Sequence, residues 1–208
     1  MKRHALVFWA LVLSAEWAFA QQEFVIYPTL AGWDTRDYHK PALLVQPDKG
    51  GKLLVQPTHP EGNIRDLSKP GIAVERRAGG GELVYPLLKD TNMRDYSKPA
   101  LASETDRNGQ TIIYPTKAGW DIRDFDKPGY IVKRNVGNGF VIAPTHPGTN
   151  TRDQDRPAIR VEQDPGSGKL KIYPTRPGTD ERDPWSPGYV SEKAIPVALI
   201  CYIAAGQR

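Results

Sequence analysis

A unit of about thirty residues recurs six times along the chain, and this recurrence limits the fold more than any other feature. Its anchor is an Arg-Asp pair preceded two residues earlier by Asp or Asn. The pairs are Arg36-Asp37, Arg65-Asp66, Arg94-Asp95, Arg123-Asp124, Arg152-Asp153 and Arg182-Asp183. The step between them is 29 residues four times and 30 for the last. A proline precedes each pair (Pro28, Pro57, Pro86, Pro115, Pro144, Pro174) and another follows it (Pro41, Pro70, Pro99, Pro128, Pro157, Pro187). A fixed period of this length marks a repeat architecture, in which each unit buries its apolar surface against its neighbours.

Within each unit two short runs read as strands. Strand A ends at the first proline, as in Phe24 to Tyr27 or Ile112 to Tyr114, and is rich in β-branched residues and tyrosine. Proline lacks an N–H, so pairing is expected to stop there. Strand B follows the second proline, as in Leu43 to Val45 or Tyr130 to Val132. Segments rich in Gly, Asn and Asp, such as Asp48 to Gly51 and Val136 to Gly139, then turn the chain into the next strand A. No segment shows helical periodicity of useful length, and the 19 Gly and 19 Pro disfavour helices throughout.

The repeat begins on a lone strand A (Glu23 to Tyr27) and ends on a lone strand B (Gly188 to Lys193). Complementary halves at the two ends let an array close on itself and hide its edges. The fold class expected is therefore all-β: six tandem β-hairpins in a closed, propeller-like ring, with an open β-solenoid as the alternative. Closure predicts contact between these two strands and places Trp33 and Trp120, three units apart, on opposite sides.

The two ends of the sequence read differently. Lys2 and Arg3, the apolar run Ala5 to Leu13 and the small-x-small triplet Ala18-Phe19-Ala20 have the form of a signal peptide, with cleavage after Ala20. The expected organisation is thus 1–20 signal peptide, 21–193 six-repeat β domain, and 194–208 apolar tail. Localisation is expected to be secreted or periplasmic. The tail is too short to span a bilayer, which needs about 20 residues. It reads as a further strand or plug over one end of the array, or as a strand donated to another copy, which would make the protein self-associate into a surface fibre. Cys201, the one cysteine, lies in this run and allows no intramolecular disulfide.

Residues 21–208 carry 26 basic and 23 acidic side chains, interspersed within each unit. No concentrated basic face is legible, so nucleic acid is not an expected partner. A weak positive excess suits polysaccharide or a cell-envelope surface.

The repeated motif reads first as structure: its Asx holds a turn, and its Arg and Asp form an ion-pair network between units. Calcium on Asp34 with Asp37, or on Asp121 with Asp124, is a minor possibility, since the intervening arginine already neutralises those carboxylates. No other cofactor is expected. Repeats one and four share Ala-Gly-Trp-Asp, and repeats two and five share Pro-Thr-His-Pro. This offset of three units points to duplication of a three-unit ancestor. It makes Trp33, Trp120, His59 and His146 the candidate ligand-binding residues, the tryptophans by stacking on a sugar face. No Gly-x-Ser-x-Gly elbow, His-Glu-x-x-His pair or phosphate-binding loop is present, and no catalytic residue is expected. The expected function is non-catalytic adhesion, matrix binding or envelope and polysaccharide binding. The alternative is a carbohydrate-active enzyme using loop carboxylates.

Overall fold

The computed structural model describes residues 22–134 and 138–205. The expected signal segment with its cleavage site, Val136 and Gly137 of one expected turn, and the last three residues of the tail lie outside the described residues. The strands are β1 (Phe24–Pro28), β2 (Leu43–Pro47), β3 (Leu53–Pro57), β4 (Ile72–Arg76), β5 (Glu82–Pro86) and β6 (Leu101–Thr105). They continue as β7 (Thr111–Pro115), β8 (Tyr130–Arg134), β9 (Gly139–Pro144), β10 (Ile159–Gln163), β11 (Leu170–Pro174) and β12 (Tyr189–Ser191). One helix follows, α1 (Val197–Ala205).

Each strand pairs antiparallel with its sequence neighbours, and β12 pairs with β1, so the twelve strands form one closed barrel. The closing register is Ile26 with Ser191, Tyr27 with Val190 and Pro28 with Tyr189. All-β structure and closure thus hold, but the ring is neither a propeller nor a solenoid. Blades would be separate hairpin sheets. Here successive hairpins are also bonded edge to edge, as where Phe24 faces Val45 and Ile26 faces Leu43 across the long loop. Strand A pairs with its hairpin partner out to the proline but with the next unit only through its earlier residues: Pro57 faces Leu43, while Val55 is the last residue of β3 to face β4, at Ile72.

That stagger is two residues per unit and recurs around the ring, giving a shear of about 12 for twelve strands. Equal shear and strand number imply a tilt near 36° and, at about 4.8 Å between strands, a backbone radius of about 11 Å. A barrel that wide is not filled by its own side chains, because about eight strands is the limit for that.

Helix α1 fills the remainder. Leu199, Ile200 and Cys201 have no exposed surface and pack with Ile26, Val45, Val84, Ile113, Ile142 and Ile172 of the inner wall. The apolar tail is therefore an interior helix, not a strand, and the expected absence of helix fails at this point. Pro196 starts it, where a missing N–H is harmless, and its carbonyl accepts from Ile200 N (3.1 Å).

Glu82 closes the helix N-terminus. The residue keeps some surface exposure, but its carboxyl is turned inward, where Ala198 N donates to Oε2 (3.2 Å). Burial pushes this carboxyl above the ordinary glutamate value despite the Ala198 N–H, the Ser103 hydroxyl and the nearby Arg76 charge. A raised folded value means stability that is full below the unfolded pKa, about 4.3, and is lost as pH rises through the folded one. Glu82→Gln keeps the acceptor and removes the ionisation. It should leave stability little changed near pH 4 and raise it at neutral pH, which urea midpoints at the two pH values will show.

The five hairpin turns and the six long loops segregate by topology. The short turns lie at one end of the barrel and the six Arg-Asp loops at the other, which we call the rim.

Candidate functional site: the loop rim

Every rim loop is built alike. The strand A proline carbonyl accepts from the motif Asp N–H, as in Asp37 N to Pro28 O (2.9 Å) and Asp95 N to Pro86 O (2.9 Å). A bridge between Thr29 and Arg36, repeated in all six units, completes the loop base. The threonine after the proline reaches the neighbouring strand: Thr58 Oγ1 accepts from Ala42 N (3.0 Å), and Thr29 Oγ1 does so from Gly188 N across the closing seam (3.0 Å).

The motif residues divide their roles differently from the sequence-based expectation. The second acid, not the first Asx, holds the local turn. Asp37 Oδ1 accepts from His39 N (3.1 Å), Asp66 Oδ1 from Ser68 N (2.9 Å) and Asp153 Oδ1 from Asp155 N (3.0 Å). Asp95, Asp124 and Asp183 do the same in their loops. The serine N–H and hydroxyl hold Asp66 and Asp95 below the ordinary carboxylate range.

The first Asx instead receives the arginine of the preceding unit. Arg94 Nη2 meets Asp121 Oδ1 at 2.6 Å, Arg152 Nη1 meets Asp180 Oδ1 at 2.6 Å, and Arg123 Nη2 meets Asn150 Oδ1 at 3.2 Å. Arg36 takes the Gly62 carbonyl instead (3.2 Å). Arg182 of the last unit meets Asp34 of the first at 3.3 Å, so the chain of contacts continues across the seam. Lys171 Nζ (2.9 Å) and the Tyr173 hydroxyl (2.7 Å) also converge on Asp34. Partial burial raises the Asp34 carboxyl, but these donors and the Arg182 charge together hold it below the usual range. Of the carboxylates considered for calcium, Asp34 and Asp121 are engaged by basic side chains of adjoining units, and Asp37 and Asp124 by a backbone N–H and a lysine of their own loops. Among the described residues no group of three or more His, Cys, Asp or Glu is arranged to hold a metal.

Arginine also explains the tyrosine before the proline. Arg94 lies 5.0 Å over Tyr85 of strand A and 4.9 Å over Tyr96 of its own loop. Arg36 lies between Tyr27 and Tyr38, and Arg123 between Tyr114 and Phe125, in the same way. Arg182 stacks on Tyr173 at 3.8 Å. Units two and five have Gln56 and Ala143 in place of the tyrosine, so the tyrosine before the proline follows the three-unit duplication. Arg65 sits in unit two, where neither Gln56 nor Leu67 offers it a ring. A lysine cannot reproduce a planar stack and a fork together. Arg94→Lys should therefore lower stability by about 1–2 kcal/mol, measured by urea unfolding.

The tips of the loops face outward. Trp33 is 69% and Trp120 66% exposed, and each follows a glycine in the left-handed region, Gly32 and Gly119. They sit half a ring apart. His59 and His146 are also half a ring apart, with their backbones closing the loop base and His146 Nδ1 4.0 Å from Asp153 Oδ2. The structure therefore brings neither pair together into one site. It adds residues that the sequence reading missed. Trp185 is 85% exposed, and Tyr38, Tyr96 and Phe125, each just after the Arg-Asp pair, are more than half exposed. Alignment of the units on that pair carries this signal, since an aromatic follows it in units one, three and four.

Comparison of the chain with protein-family models, with curated proteins and with solved structures found no match.

Proposed function

We propose that this protein is an exported, non-catalytic binding module that attaches to polysaccharide or an envelope surface through its loop rim. One observation carries the reading: among the described residues, every exposed large hydrophobic side chain lies in a rim loop. Loops one to four and six contribute them, from Leu30, Trp33 and Tyr38 to Trp185, and the described residues of the barrel wall and the turn end contribute none. Apolar surface concentrated on one face marks a contact site. Repetition of similar loops on a closed ring adds weak contacts into avidity.

The described carboxylates of the rim support a structural role for the charged motif, because they hold turns or receive arginines. Membrane spanning is a poor alternative on dimensions. Strands of five residues, tilted near 36°, rise about 14 Å, well short of the roughly 25 Å apolar band of a membrane barrel. The outer wall also bears charge, including the Lys52–Glu75 pair at 3.1 Å.

A polysaccharide panel at physiological salt tests the reading. Retention of the full chain is expected, and it should weaken when rim aromatics are changed to serine. Absence of binding to every member would sink it. Turnover of a bound polymer, lost on changing one loop aspartate, would move the protein to the enzyme class.

A further inference from the structure

Resting on that reading, we infer that the rim carries two equivalent binding sites on opposite sides of the barrel, each for a neutral, equatorially substituted hexopyranose chain. The argument starts from the seams between adjacent loops. In all six loops the fourth residue has positive φ, and in most of them it lies against the backbone of the preceding loop. A Cβ on Gly119 would meet the Tyr96 carbonyl at 3.6 Å, and one on Gly32 would meet the Pro184 carbonyl at 3.0 Å. The next residue therefore stands beside the preceding loop. It is tryptophan only at these two seams: Trp120 beside Tyr96, and Trp33 beside Trp185. The other loops place Gly62, Thr91, Thr149 and Thr179 there.

Each of the two seams thus sets an exposed tryptophan next to a loop that carries a second exposed aromatic residue. Beneath each lies an arginine–aspartate contact between the same loops, Arg94 with Asp121 at 2.6 Å and Arg182 with Asp34 at 3.3 Å. Aromatic rings beside a few fixed polar groups suit a sugar, whose axial C–H face packs on the ring while its equatorial hydroxyls reach donors and acceptors. Charge selects the uncharged polymer. Over the six loops, residues 29–41, 58–70, 87–99, 116–128, 145–157 and 175–187, fourteen basic side chains meet fourteen acidic ones. The net positive charge of the chain therefore lies off the rim, and an anionic polymer gains nothing at these seams.

Half a turn of a ring of about 11 Å radius separates the two sites by about 22 Å or more. One chain could therefore hold two polysaccharide strands and cross-link them.

Calorimetric titration of the full chain with cellohexaose and, separately, chitohexaose tests this, the two arms distinguishing glucose from N-acetylglucosamine polymers. Two sites per chain are expected for at least one of them. Trp33→Ala and Trp120→Ala should each leave one site of unchanged affinity, and the double variant none. Both side chains are about two-thirds exposed, so thermal melts should match the parent and exclude misfolding. Wild-type protein should raise light scattering from the corresponding long polymer, and each single variant should not. One site, six sites, or two sites surviving in the double variant would overturn the inference while leaving rim binding in place. Binding of acidic polysaccharide alone would do the same. Failure with every polysaccharide would remove the functional reading as well.

Discussion

Leu199→Asp is expected to leave the barrel unfolded at room temperature. Leu199 has no exposed surface and sits on the helix that occupies the barrel axis, with the inner wall around it. An ionised carboxylate there has no partner among the apolar side chains it meets, and the effective penalty is several kcal/mol. Losing the leucine adds a further cost of about 2–5 kcal/mol, as judged from Leu→Ala changes in cores. Domain stability is only about 5–15 kcal/mol, so the sum reaches the whole of it. Leu199→Ala should remain folded with a melting temperature lowered by at least several degrees. Far-UV circular dichroism with thermal melts separates the two outcomes. A Leu199→Asp protein that melts like the parent would mean that the helix does not lie inside.

The second large effect is expected at the closing strand. β12 has three residues, and Val190 is its centre, paired with Tyr27 on one side and Lys171 on the other. Val190→Pro removes an N–H from the shortest strand and forces its ring into a ladder that is bonded on both edges. The loss should be about 3 kcal/mol or more, and the opened edge should make the protein aggregate. Val190→Thr keeps the backbone donor and the branched shape, and should lose less. Proline and threonine variants of equal stability would argue against a paired seam.

The sequence displayed the strands and their closure because both follow from period and phase. Prolines and glycines mark strand ends, and a half unit at each terminus leaves one pairing unmade. The barrel form was not legible for a physical reason. Blade and barrel differ in whether hairpins pair with one another, and that depends on the two-residue stagger, which no spacing in the chain encodes. The helix was hidden because Val197 to Ile203 is apolar on all sides. Such a run has no polar face, so neither strand nor helix period can be read from it; burial on every side selects a helix, whose backbone groups bond within the segment. Pro196 before it was the available signal.

At the rim, the Asx-x-Arg-Asp spacing announced ion pairs but not their direction. Asp37 and Arg36 are adjacent in sequence, yet one side chain folds back on its own loop and the other reaches Gly62 of the next unit. Only the ring geometry sets that division. Trp33 and Trp120 stood out as exceptions to the repeat, whereas Trp185 did not, because its unit has a proline where units one to four have their aromatic or apolar residue.

Closure of the ring is the claim on which the rest depends, and a distance between spin labels at Gln22 and Glu192 tests it most directly. Glu192 N donates to the Val25 carbonyl at 3.3 Å, and Lys193 Nζ reaches the Gln22 carbonyl at 3.4 Å. Labels at these sites should give one narrow distribution below about 20 Å, four strand spacings. A distribution centred beyond that distance would contradict a closed barrel.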